Sequence, residues 1–326
     1  MTERYYLRDG VFSQFDTDCP KPFERKASAV TIGTYDGVHL GHRAIISTLV
    51  SDAKARGWRS VVITFEPHPR LVLGKTNGAP IFLLSTLNEK LRILETLGVD
   101  CVIVIHFTKE FSETPAETFV EEVLVEKIGL AEIVIGYDHM FGKNRGGSFE
   151  TLVRLAKKHH FTVLQIPEQK VDKHHLSSTA IRRFLEAGEI ENANKLLGAP
   201  YQLSALVVEG DKRGRTIGFP TANLLPPKEK LIPKIGVYAV EVEVDEKRYR
   251  AMMNIGMRPT VQSQASLSLE VHLLEFNGDL YGKELTVRFL ARLRDEQKFS
   301  SLDALKAQLE RDKAAAQRLS SEFSMA

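Results

Sequence analysis

Two hydrophobic rhythms divide the chain. In the first half, short continuous apolar runs rich in Val and Ile recur at residues 28–33, 60–65, 101–107, 132–136 and 161–166, each of strand length. Longer segments with helical spacing lie between them. Ile45, Ile46, Leu49 and Val50 share one helical stripe, and Phe119, Val123, Val125 and Ile128 form a looser one in a segment opened by Pro115. Apolar strands alternating with helices predict a parallel sheet covered on both faces. After about residue 200 the rhythm changes. Residues 201–208, 237–244, 247–254, 266–274 and 284–291 read as strands, separated by turn chemistry such as Asn277-Gly278. One helix over 302–319 ends the run, with Leu302, Leu305, Leu309 and Leu319 near one face. The pattern predicts an α/β domain followed by a small antiparallel β-barrel or sandwich with a C-terminal helix. The boundary is expected between 1–185 and 186–326, with 186–197 as a helical connector.

Composition narrows the class. The 326 residues suffice for two cores, and 43% hydrophobic with 26% charged residues is the profile of an ordinary globular protein. The 44 Lys and Arg against 42 Asp and Glu leave a formal charge of +2, too little for wholesale polyanion binding, so no nucleic-acid partner is expected. No apolar run approaches the ~20 residues of a membrane span, and residues 1–6 lack the apolar core of a signal peptide. With Cys19 and Cys101 as the only cysteines, a disulfide framework is not expected. These features favour a cytoplasmic protein without a membrane partner; they leave its oligomeric state open.

The first candidate chemistry follows the first predicted strand. The stretch GxxDGxHxGH supplies Gly33, Asp36, Gly37, His39, Gly41 and His42 and opens a helix. Glycines let backbone N–H groups approach a ligand, and a helix N-terminus favours phosphate. Two imidazoles there can stabilise charge on an α-phosphate and a leaving pyrophosphate. Two surface histidines near a turn is the plainer reading, and a metal site built from Asp36, His39, His42 and His68 is a third. Phe65-Glu66-Pro67-His68-Pro69 ends the second predicted strand, where a parallel sheet lines its ligand crevice. The segment 136–147, with Asp138, Lys143 and Arg145 among glycines, suits a loop over an anionic substrate or a merely solvated one. In SSTxIR, Ser177 or Ser178 is an N-cap candidate. Arg182 then falls in or just after the first turn, where a bound anion between it, Ser177 and Thr179 offsets its repulsion by the helix dipole.

In the second half, GRxxGxPTAN carries Gly214, Arg215, Thr221 and Asn223 on a Gly-rich basic loop that runs into a strand. Thr221 and Asn223 are two apart, so in extended chain both point to one face, a pairing that suits oxygen ligation of Mg²⁺ with ATP phosphates. Generic hairpin chemistry explains the loop equally well, and no Walker A motif occurs. Glu270 lies mid-strand, as a general base on an alcohol or as a solvated outer-face residue.

Taken together, GxxDGxHxGH, SSTxIR, GRxxGxPTAN, the Asn254–Thr260 stretch NIGMRPT, LExHLLxF and Asp279-Leu280-Tyr281-Gly282 resemble the bacterial bifunctional riboflavin kinase/FAD synthetase family over nearly the whole chain. Tyr35 stands where the family commonly has Phe, and Met140 where it commonly has a basic residue. The resemblance implies a Rossmann-like nucleotidyltransferase in 1–185 and a six-stranded riboflavin kinase barrel in 186–326. It implies phosphorylation of riboflavin by ATP to FMN, then adenylylation of FMN by a second ATP to FAD and pyrophosphate. By resemblance, His39, His42 and Glu270 are catalytic. Gly33, Asp36, Gly37, Gly41, Ser177, Thr179, Arg182, Gly214, Arg215, Thr221 and Asn223 bind ATP and its phosphates. Thr221 and Asn223 also hold Mg²⁺, and His68, Asp138 and Arg258 contact flavin. Two rivals come from other classes. An aminoacyl-tRNA synthetase-like enzyme would need a KMSKS-like lysine loop that is missing. A single-activity nucleotidyltransferase would use the barrel only to bind flavin or RNA.

Overall fold

The apolar runs predicted in the first half become five neighbouring strands of a seven-stranded sheet in a computed structural model that describes residues 2–74, 80–171, 174–210, 217–258 and 266–319. Contacts divide the chain into two compact units, Met1–Ile81 with Lys90–Leu176, and Phe82–Glu89 with Ser177–Ala326. The division falls inside the Leu87–Thr96 helix. No helix among the described residues is long and apolar enough to cross a membrane.

In the first unit the strands are β1 (Glu3–Arg8), β2 (Val11–Gln14), β3 (Ser28–Ile32), β4 (Arg59–Glu66), β5 (Cys101–His106), β6 (Leu130–Gly136) and β7 (Thr162–Ile166), in the order β2-β1-β5-β4-β3-β6-β7. All neighbours are parallel except β1 and β2. A small antiparallel pair, β8 (Lys170–Val171) and β9 (His174–His175), stands apart from this sheet. The five expected strands are contiguous in the sheet, and β3 is buried at every residue, which is why it reads as a continuous apolar run, whereas β7 lies at the edge and is only partly buried. β1 and β2 were not expected. β1 buries only the alternate residues Tyr5 and Leu7, so its signal is weaker.

The strand order reverses at β3, with β4 and β5 on one side and β6 and β7 on the other. A ligand crevice therefore opens beyond the carboxyl ends of β3 and β6. The segment after Pro115 is not a plain α-helix. A short turn, Ala116–Thr118, continues as a π-helical stretch over Phe119–Ile128. Its wider i→i+5 turn buries Phe119, Val120, Leu124 and Ile128, so of the expected stripe only Phe119 and Ile128 lie in the core, while Val123 and Val125 are partly buried against it.

The second unit is a closed antiparallel barrel of β10 (Tyr201–Val208), β11 (Ala222–Leu225), β12 (Gly236–Val244), β13 (Lys247–Arg258), β14 (Ser266–Leu273) and β15 (Glu284–Arg294), in the order β10-β11-β14-β13-β12-β15. Closure settles barrel over sandwich, since every strand finds two partners and no edge is left. Alternate residues such as Tyr201, Leu203, Val242, Met253, Val271 and Phe289 are buried. The Leu302–Arg318 helix packs Ala316 in a cluster with Phe219, Ala239, Met252 and Leu274. It is also held by the buried Asp312, whose carboxylate accepts bonds from Arg294 Nε and an η-nitrogen (2.8–3.2 Å). The connector expected over 186–197 is not one helix: the Ser178–Ala187 helix ends at Gly188 (φ +82°), and a second, Ile190–Leu197, follows it.

Residues 82–89 belong with this barrel. Leu83 N donates to Glu229 O (2.6 Å), Leu231 N donates to Leu83 O (2.9 Å), and Lys230 Nζ meets Glu89 Oε2 at 2.6 Å.

Candidate functional sites

The first candidate site grows out of the carboxyl edge of the parallel sheet. β3 ends at Ile32, and the loop from Gly33 to His39 winds through left-handed backbone at Tyr35, Gly37 and Val38 before the Leu40–Arg56 helix begins. The loop is anchored from below. Thr31 Oγ1 donates to Val134 O (2.6 Å) and lies 2.7 Å from the buried Tyr35 hydroxyl. A Cβ at Gly33 would stand 2.9 Å from the Tyr35 ring, so that ring can fold under the loop only because residue 33 lacks one. Asp36 is buried within the same loop.

His39 caps the helix. Its Nδ1 accepts from His42 N at 3.4 Å, and the two imidazoles stack with centroids 3.6 Å apart and planes 16° apart. Gly41 makes room for this, because a Cβ there would press the His39 ring at 3.3 Å. Burial pushes the His39 imidazolium down to about 4, although the Asp36 and Asp138 carboxylates oppose that shift. His42 is held well below the usual histidine range by burial, then by His39 and the Lys90 ammonium.

Both rings are therefore neutral at pH 7. Because His39 Nδ1 is the acceptor, its proton sits on Nε2, a donor for an incoming oxygen. His42 Nδ1 is buried without a hydrogen-bond partner, an open position of the kind a ligand fills. The arrangement does not suit a metal. Imidazole lone pairs lie in the ring planes, and two parallel stacked rings do not converge on one tetrahedral centre. Among the described residues no group of three or more His, Cys, Asp or Glu side chains could hold an ion.

Two further expected residues follow neighbouring strand ends. His68, after β4, is buried, and its Nδ1 accepts from Arg70 N at 3.2 Å, capping the short Pro69–Val72 turn. Asp138, after β6, is exposed yet close enough to act on His39. The 136–147 loop is tied rather than loose. Phe141 and Gly147 exchange two backbone hydrogen bonds, Lys143 N donates to Thr114 O, and the Lys143 ammonium pairs with Glu113 at 2.8 Å. Sequence reasoning missed His139 in this loop, whose Nε2 is buried and unpartnered and whose imidazolium burial pushes down to about 4.

Ser177, Thr179 and Arg182 belong to the second compact unit. Ser177 caps the Ser178–Ala187 helix as expected, its Oγ accepting from Ala180 N at 3.2 Å. Arg182 Nε donates to Phe82 O at 2.9 Å.

The second candidate site lies on the outer face of the barrel. In the strand register, Asn223 of β11, Glu270 of β14 and Asn254 of β13 stand side by side, and their apolar neighbours Ala222, Val271 and Met253 form the adjacent row. Thr221 Oγ1 donates to Glu270 Oε2 (3.3 Å), and Ser268 Oγ donates to Oε1 (3.2 Å). Glu270 is half-buried, not a solvated outer residue. A cavity of about 450 Å³ opens beside Thr221 and the apolar row, lined by Thr221, Ala222, Val271, Phe276, Asp279 and Tyr281 among others. Thr221 and Asn223 carry hard oxygen donors of the type Mg²⁺ takes, while Glu270 accepts from the Thr221 hydroxyl. Asn254 had no role in the sequence reading. Period-two alternation puts it on the outer face, but only the pairing of β13 with β14 sets it beside Glu270. Gly214 and Arg215 lie outside the described residues, as does the side chain of Arg258, which ends β13.

Comparison with known proteins agrees with two catalytic modules. A family model described as FAD synthetase matches residues 21–180, and one described as riboflavin kinase matches 197–320. The bifunctional riboflavin kinase/FMN adenylyltransferase of Listeria monocytogenes is 40% identical over 87% of this chain and 89% of its own length. The Escherichia coli K12 enzyme of the same name is 40% identical over 90% and 92%, and that of Bacillus subtilis 37% over 90% and 93%. A crystal structure from Streptococcus pneumoniae, described as a macrolide-efflux protein, shares the fold with TM-score 0.80 at 32% identity, covering 90% of this chain and 95% of that one. The kinase match over the barrel and the bifunctional relatives disfavour a barrel that only binds ligand.

Proposed function

This chain belongs to the bifunctional riboflavin kinase/FMN adenylyltransferase family, and from that premise we propose which residues carry each of its two reactions. The enzyme phosphorylates riboflavin with ATP to give FMN, then adenylylates FMN with ATP to give FAD and pyrophosphate. We assign the first reaction to 186–326 and the second to 1–185, in a cytoplasmic enzyme.

For the kinase, the carrying observation is the Thr221–Glu270 hydrogen bond with Asn223 in register beside it. An alcohol is a poor nucleophile at neutral pH, and a half-buried carboxylate positioned to take the ribityl 5′-hydroxyl proton is a suitable general base. Glu270 has that role in this reading. Thr221 and Asn223 would hold Mg²⁺ together with ATP, and Gly214 and Arg215 the phosphates. When bound, the cation neutralises charge on those phosphates. The adjoining cavity gives the kinase substrates room beside Thr221, and Arg258 is assigned to flavin.

For adenylyl transfer, the carrying observation is the stacked neutral pair His39 and His42 at a helix N-terminus beside the switch-point crevice. The nucleophile is an FMN phosphate oxygen, already anionic, so no base is required. Catalysis then rests on positioning and on stabilising charge that moves onto pyrophosphate. His39 Nε2–H and His42 donate there, and the backbone of Gly33, Asp36, Gly37 and Gly41 cradles phosphate. Ser177, Thr179 and Arg182 are assigned to phosphate, and His68 and Asp138 to flavin.

A crossed pair of variants tests both assignments. His42→Ala should slow FAD formation from FMN by at least ~10²-fold, the effect of losing one electrostatic donor, and leave FMN formation near wild type. Glu270→Gln should do the reverse. Equal loss of both steps in either folded variant refutes the assignment of that residue.

A further inference from the structure

Neither reaction as argued above uses a buried cation of the first unit. Lys90, in the Leu87–Thr96 helix, is 4% exposed, and its Nζ donates to Thr64 Oγ1 at 3.0 Å. Thr64 is fully buried in β4, and its hydroxyl donates in turn to Thr34 O (3.2 Å), within the loop that leads to His39. One charge-assisted hydrogen bond thus reaches the phosphate-loop backbone through a single hydroxyl. The groups that face the ammonium are the carboxylates of Asp36 and Glu66 and the His42 imidazole. An apolar side chain of similar length would fill this space without burying a charge, and replacing buried ions by well-packed apolar groups is often neutral or stabilising. The chain instead keeps a cation at the sheet edge where the candidate site opens.

We propose that Lys90 is a positioning residue for adenylyl transfer, holding the Thr34 carbonyl through Thr64 so that the 33–42 loop is set to receive the ATP triphosphate. The proposal rests on the reading that this loop is the adenylyl-transfer site. Burial lowers the Lys90 ammonium below the usual lysine range, while Asp36 and Glu66 oppose that shift. Raising the pH through the alkaline range therefore removes its charge before that of an exposed lysine. FAD formation by the wild type should carry that alkaline limb.

The test uses the full chain with FMN, ATP and Mg²⁺, and compares Lys90→Met, Lys90→Arg, Thr64→Val and His42→Ala. Lys90→Met and Thr64→Val should lower kcat/KM for ATP in FAD formation by about ten- to a hundredfold, the range for one hydrogen bond to a charged group. Riboflavin phosphorylation in the same samples should stay within about twofold. Lys90→Arg should restore part of the loss, and the alkaline limb should vanish in Lys90→Met. Wild-type-like FAD formation in Lys90→Met beside a crippled His42→Ala overturns the Lys90 proposal alone. Wild-type-like FAD formation in both overturns the site assignment and the proposal with it. An unmoved pH profile in a weakened Lys90→Met assigns the residue to stability only and overturns the proposal. Should Lys90→Met unfold, Thr64→Val decides: an unchanged kcat/KM there overturns it.

Discussion

The barrel is expected to depend on a carboxylate from residue 89, and Glu89→Ala measures how much. The Glu89 and Lys230 side chains are 1% and 0% exposed, and Nζ lies 2.6 Å from Oε2. Glu89 also accepts from Ser204 N through Oε1 (2.6 Å) and from Thr86 N through Oε2 (2.9 Å), the latter half of a capping box for the Leu87–Thr96 helix. Lys230 has the Leu84 carbonyl at 2.7 Å and the Tyr201 ring at 4.6 Å as further partners. Removing one member of a buried pair costs about 3–5 kcal/mol, because the other charge stays behind without compensation. Glu89→Ala loses the ion pair, the Ser204 bond and half the capping box together, so it belongs at the upper end. Lys230→Met leaves a carboxylate that still accepts two N–H bonds, so it belongs at the lower end. For a unit of this size about 2–4 °C accompanies each kcal/mol, which predicts a fall of roughly 10–20 °C for Glu89→Ala. The assay is heat inactivation of riboflavin kinase activity in the full chain, a readout of the barrel. The double variant Glu89→Met with Lys230→Met should recover at least half the loss, since no charge remains buried. A Glu89→Ala shift under about 3 °C, or a double variant worse than both singles, refutes the reasoning.

Further outcomes follow from the same geometry. A fragment of residues 186–326 lacks Glu89 and should lose kinase activity at lower temperature than the full chain; equal heat inactivation of the two contradicts this. Glu270→Gln should reduce riboflavin phosphorylation by roughly 10²–10⁴ with little change in melting temperature, and activity within about threefold of wild type removes the general base. Gly41→Ala sets a methyl group against the His39 ring. FAD formation should drop with FMN formation unchanged, and an unaffected adenylylation rate means the stack is not needed. His39 and His139 titrate near 4 in the fold against 6.5 when free. The unfolded chain therefore binds their protons first, and stability of the first unit falls as pH drops from about 6.5 to about 4, by up to about 3 kcal/mol for each. Denaturant melts across that window check the sign, and a flat profile contradicts it.

Periodicity alone located β3 to β7, five neighbouring strands of the sheet, most clearly β3 and β5, which are covered on both faces and apolar almost throughout; the edge strand β7 keeps exposed positions. It located the outer-face position of Glu270 as well, since period two needs no partner. The histidine loop was legible for a similar reason, since glycines and a helix start are local features; that His39 itself caps the helix came only with the structure. Other features depended on pairings made between distant residues. β1 joined β5 through Tyr5 and Leu7, an alternation too short to read by itself. The barrel register set Asn254 beside Glu270, and closure excluded a sandwich. Glu89 and Lys90 make the clearest case. In the sequence they are two adjacent charges at the start of a helix, the pattern of a solvated first turn. Both are buried, Glu89 with Lys230 and Lys90 with Thr64, because charges can leave water only where the fold supplies partners. Residue type and spacing determined which chemistry was on hand, whereas only long-range packing decided which charged groups lost their water and therefore matter most.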